Sequence, residues 1–112
     1  MDFCLSERWT IITNEEIQII IKQNLDSIDI LIQLAEECSE LSAIITKLVR
    51  KRYTSNPTPK CEDDIMDEIR EEFTDVYICM DILRELYIDR QVYNSKIERW
   101  LHRLKERSEK ND

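Results

Sequence analysis

The chain has 112 residues, no glycine and a net charge of −8, with 42% hydrophobic and 36% charged residues. Without glycine there is no P-loop, dinucleotide-binding turn or kinase-type Gly-rich loop, and tight β-hairpins are disfavoured. The acidic balance argues against a nucleic-acid polymer as partner, because phosphate backbones are held by clustered Lys and Arg.

Residues 1–112 read as a single domain, large enough to bury a core. Cys4, Cys38, Cys61 and Cys79 form no C-x-x-C pair or zinc spacing, and Cys38 and Cys79 fall on apolar helix stripes as reduced thiols. Met1 to Asn14 has no basic-then-apolar leader pattern. No apolar run approaches the roughly 20 residues of a membrane span. The expectation is a cytoplasmic protein with no membrane partner.

In chain order, residues 1–12 are a mixed lead-in with Phe3 and Trp9 as anchors onto the body. Thr13 and Glu16 form a capping box ahead of a first helix that carries Ile17, Ile20 and Ile21 and weakens near Asn24. Asp26 caps a second helix from Ser27 to about Arg52, with an apolar stripe of Leu31, Leu34, Ala35, Cys38, Leu41, Ile45, Leu48 and Val49. Thr54 to Lys60 holds both prolines and reads as the clear loop. A third helix is predicted from about Glu62 to Ile88, its stripe Ile65, Met66, Ile69, Phe73, Val76, Met80, Leu83 and Tyr87. Asp89 breaks the pattern or caps a fourth helix, which runs to about Lys110 with Tyr93, Ile97, Trp100, Leu101 and Leu104 inward. The predicted fold is all-α and four-helix bundle-like, with the second and third helices long, antiparallel and central. Ile28, Ile32, Ile44, Ile78 and Ile82 fall off these stripes, which suggests a partner surface.

The chemistry concentrates in Glu36-Glu37-Cys38-Ser39-Glu40 and Glu71-Glu72-Phe73-Thr74-Asp75. Acids three or four residues apart share a helix face and repel one another. At about 100° per residue, Glu37 and Glu40 border the apolar stripe of the second helix, and Glu72 falls within that of the third. Glu68 and Asp75 lie at its border, while Glu36 and Glu71 turn toward solvent. A carboxylate turned toward a core must be paired, protonated or metal-bound. Such runs commonly form solvated acidic faces. The alternative is a hard divalent cation, Mg²⁺ or Mn²⁺, with phosphates completing its shell.

Lys96, Arg99, Arg103 and Arg107 recur along one side of the fourth helix. They either clamp a phosphate tail or pair with acids such as Glu98 and Glu106. Among the aromatics, Trp9 is the candidate to stack a base and Trp100 the candidate to pack. His102 faces away from the stripe, and a single histidine argues against a di-iron site built on paired Glu-x-x-His turns.

Glu36-Glu37-x-x-Glu40 followed by Glu72-x-x-Asp75 resembles the E-E-x-x-E … E-x-x-D signature of the MazG-like all-α nucleoside triphosphate pyrophosphohydrolases. The context, IQLAEECSELSAIITKL and EIREEFTDVYICMDIL, is similar too, over roughly residues 14–107. The resemblance implies Glu37, Glu40, Glu72 and Asp75 as Mg²⁺ ligands, Mn²⁺ being the substitute. It places Glu36 in the catalytic set as a further motif acid, and Lys96, Arg99 and Arg103 near the triphosphate. It implies cleavage of the α–β phosphoanhydride of a nucleoside triphosphate to monophosphate and pyrophosphate, as in housecleaning of the nucleotide pool. It also implies a homodimer or tetramer whose site is walled partly by a neighbouring subunit. The insert between Glu40 and Glu72 is long for this family, and the 53–62 loop has no assigned role. The other reading is a non-catalytic helical module that binds nucleotide or another protein.

Overall fold

The polar caps read from the sequence mark three of the four helix starts in a computed structural model, which describes residues 12–110. Thr13 is extended, and its hydroxyl accepts from the Glu16 N–H at 3.1 Å to open α1 (Asn14–Asn24). Asp26 and Asp29 cap α2 (Ser27–Tyr53) reciprocally, each carboxylate accepting from the other's backbone N–H at 3.0 and 3.1 Å. Each such cap is worth roughly 1 kcal/mol. The sequence identified Asp26 but not its partner, because aspartate stands where a capping box usually has Glu or Gln.

Helix α2 ends where Thr54 turns extended, its N–H and hydroxyl both donating to the Arg50 carbonyl. Pro57 and Pro59 lie just beyond and cannot continue a helix. Glu62, Asp63 and Asp64 then load the first turn of α3 (Glu62–Leu83), where negative charge complements the helix dipole. This helix is shorter than the sequence predicts, stopping five residues before Ile88. The cause is Arg84, which caps the helix at φ 58°, a value usually left to glycine. A chain without glycine must put a larger residue there. Asp89 next accepts from the N–H groups of Gln91 and Val92 to start α4 (Arg90–Lys110).

The fold of the described residues is therefore all-α, four helices with no strand among them, in a bundle-like arrangement around one central hairpin. Helices α2 and α3 form that hairpin and run antiparallel: Ile30 packs with Cys79, Ile82 and Leu83, Glu37 meets Glu72, and Arg52 pairs with Glu62. The α2 face turned inward is Ile30, Leu34, Glu37, Leu41, Ile44 and Leu48. The α3 face is Ile65, Ile69, Glu72, Val76, Cys79 and Leu83. Both advance by alternating steps of four and three, the heptad spacing of a helix–helix seam.

These faces are rotated from the predicted stripes. Leu31, Ala35, Cys38, Ile45 and Val49 on α2, and Phe73 and Tyr87 from the third stripe, are exposed, while Ile44 is half-buried and Ile82 buried. Apolar residues occupy most of the circumference of α2, so periodicity alone does not select which arc meets α3. Ile28, Ile32 and Ile78 are exposed, as expected.

Helix α1 lies against the open end of the hairpin, where Ile21 packs on the core cluster and the Gln18 amide donates to Asp81 at 2.8 Å. Helix α4 is exposed along its whole length. Tyr93, Ile97, Trp100, Leu101 and Leu104, expected inward, are among the exposed apolar side chains because no other described helix covers them. The radius of gyration, 19.9 Å, exceeds the roughly 13 Å of a compact chain of this size.

Candidate metal centre

The heptad seam carries one acid from each helix. Glu37 is the third inward residue of α2 and Glu72 the third of α3, and the antiparallel pairing sets them face to face. Glu40, one turn beyond Glu37, joins from the flank. One carboxylate oxygen from each of Glu37, Glu40 and Glu72 lies within 4.8 Å of the other two. Asp75 is half-buried on the same flank of α3 and reaches Glu37.

Gln33, one turn before Glu37, donates its amide to Glu37 Oε1 at 2.7 Å. The second oxygens, Glu37 Oε2 and Glu72 Oε2, are shielded from solvent and have no hydrogen-bond partner among the described residues. Two facing carboxylates have no donor between them unless one carries a proton. Glu72 takes that role. Its carboxyl is pushed up to about 7, first by the hydrogen bond it can donate to Glu37, then by burial and by the charge of Glu40. Glu37 is held below its ordinary value by the same bond from Glu72 and then by the Gln33 amide. Cys79 is buried beside them, its thiol pushed up by burial and then by Glu37 and Asp75.

The donor set suits a hard divalent cation. It offers carboxylate oxygens only, from three side chains converging on one point, and a cation would take the place of the proton between Glu37 and Glu72. Glu37, Glu40 and Glu72 would hold such an ion, with Asp75 adjacent.

The other sequence candidates are placed differently. Glu36 is exposed, on the solvent side of α2. Lys96, Arg99 and Arg103 are exposed on α4, away from the hairpin seam, with Arg103 donating to the Arg99 carbonyl. Trp9 lies outside the described residues. Gln33 was missed, although it stands four residues before Glu37, the spacing at which an amide meets a carboxylate on a helix.

No family model, curated protein or solved structure matches the chain.

Proposed function

We propose that this chain is a metal-dependent nucleoside triphosphate pyrophosphohydrolase of the MazG-like all-α kind. It cleaves the α–β phosphoanhydride to give nucleoside monophosphate and pyrophosphate, in keeping with nucleotide-pool housecleaning in the cytoplasm. The observation that carries the reading is the convergence of Glu37, Glu40 and Glu72 from two helices, in the order of the E-E-x-x-E … E-x-x-D signature.

In this reading Glu37, Glu40, Glu72 and Asp75 hold Mg²⁺ or Mn²⁺. When bound, the cation neutralises charge on the phosphoryl oxygens and makes water a nucleophile near neutral pH. Glu37 is oriented for its part by Gln33. An acid of the set with a free oxygen accepts the proton of the attacking water. Glu36 contributes from the rim.

The proposal includes a homodimer or tetramer. Its support is the apolar surface left uncovered in one chain, on α4 and on the outer side of the hairpin. Lys96, Arg99 and Arg103 then reach a triphosphate only if α4 packs against another hairpin. The same uncovered faces favour the second reading, a non-catalytic module for nucleotide or protein.

A panel of canonical, deoxy and modified triphosphates with Mg²⁺ or Mn²⁺, assayed for pyrophosphate, separates the two. The expected result is release that stops on chelation. Release that survives chelation, or none from any member of the panel, sinks the enzymatic reading.

A further inference from the structure

The α2–α3 hairpin has two broad sides. Glu40 and Asp75 reach the Glu37–Glu72 pair from one of them. Cys38 follows Glu37 and Phe73 follows Glu72, so at about 100° per residue both turn to the other side, directly behind the acidic pair. That other side is apolar and exposed, with Leu31, Ile45 and Val49 on α2 and Phe73 and Tyr77 on α3.

On α2 this side is a second heptad stripe, next to the one that meets α3. Leu31, Ala35, Cys38, Ser42, Ile45 and Val49 are all exposed and advance by alternating steps of four and three, over roughly 27 Å. The charged residues between Leu31 and Val49 are Glu36, Glu37, Glu40 and Lys47, and all of them turn to the seam or to the acidic side. A chain of net charge −8 repels its own copies, and a two-fold contact sets one surface against itself. The uncharged side is where two hairpins meet without apposing acids. The stripe also complements itself. Run antiparallel about its midpoint, it sets Leu31 against Val49, Ala35 against Ile45 and Cys38 against Ser42, small residues facing large ones or each other at the centre.

We propose that the apolar side of the hairpin is the contact surface for a second copy of this chain, with α2 packed antiparallel on α2 of that copy and Phe73 and Tyr77 flanking the contact. The two hairpins then make a four-helix core, and the two acidic clusters face outward from its opposite sides. A strongly charged partner finds no counter-charge on this surface. The contact rests on the assembly included in the proposed function and gives it a place, but it does not rest on hydrolysis.

The test combines light scattering of the full chain with a cross-link placed by the proposed register. Ala35→Glu sets a charge against Ile45 twice across the two-fold axis and should weaken self-association by roughly 100-fold or more, with the helical circular dichroism kept. Ser95→Glu adds the same charge on exposed α4 and should leave the mass unchanged. In a Cys4→Ser/Cys61→Ser background, Ser42→Cys should give a covalent dimer under glutathione disulfide, joining Cys38 of one copy to the thiol introduced in the other. Adding Cys38→Ser should abolish that dimer. A wild-type monomer overturns the assembly and this contact together. A dimer that withstands Ala35→Glu, or that forms no cross-link dependent on Cys38, overturns this contact alone, whether or not the chain hydrolyses triphosphates.

Discussion

Glu37 and Glu72 stand on the seam of a helical hairpin, where apolar residues are the rule, and that placement has a consequence for pH. Between its ordinary value of 4.5 and about 7, folded Glu72 keeps a proton that the unfolded chain has released. Metal-free stability should therefore fall as pH rises through that window and level off above it. Below the window Glu37, held low, acts in the opposite sense, and stability rises with pH there. Thermal melts in chelator from about pH 5 to pH 7.5 read the first effect. A melting temperature that climbs across that range would contradict the facing pair. Glu72→Gln should flatten the profile, and the fold should survive or gain stability because one source of repulsion is gone. On the proposed hydrolase activity, the same variant should lower pyrophosphate release by roughly 10²-fold or more, the scale of losing direct transition-state stabilisation. Glu109→Gln, exposed near the end of α4, should change nothing.

The helices are held by few fully buried residues, so their loss should be costly. Ile65 is 0% exposed at the start of α3. Ile65→Ala should destabilise by roughly 2–5 kcal/mol in urea titrations, and a cost under about 1 kcal/mol would place Ile65 outside the core. Arg84→Gly should stabilise by roughly 1 kcal/mol, the usual penalty of a side chain at positive φ, and a loss instead would show that the cap is unstrained. The starts of α1, α2 and α4 were legible because Thr13, Asp26 and Asp89 are polar caps acting within a few residues, whereas Cys61 at the start of α3 makes no side-chain cap. The end of α3 was not, because the apolar pattern runs on through Tyr87 while a backbone turn at Arg84 stops the helix. The acid pairs were legible from their spacing. The seam they occupy was not, because α2 is apolar on several sides and only pairing with α3 selects the arc through Ile30, Glu37 and Ile44. The alternating four-and-three steps shared by α2 and α3 were the available signal.

At the scale of the molecule, one chain leaves too much apolar surface uncovered. Trp100 is 66% exposed on α4 and Phe73 is 61% exposed on the outer side of α3, in a chain that spans 67 Å. Nothing in the order of the elements announces this, since four amphipathic helices would equally suit a closed bundle of one chain. Light scattering at micromolar concentration should give the mass of a dimer or larger, and Trp100→Asp should shift it toward monomer. A wild-type monomer would remove the case for assembly. The hairpin itself matters most for function, because only the pairing of α2 with α3 turns two separate acidic turns into one donor set. Direct binding of Mn²⁺, followed by loss of the free-ion EPR signal, tests that point without requiring substrate or turnover. The full chain should bind Mn²⁺ in competition with Mg²⁺, and Glu37→Gln and Glu72→Gln, one on each helix, should each weaken binding by roughly tenfold or more. Wild-type chain that leaves the Mn²⁺ signal untouched, or variants that bind as tightly as wild type, would contradict the proposed metal centre.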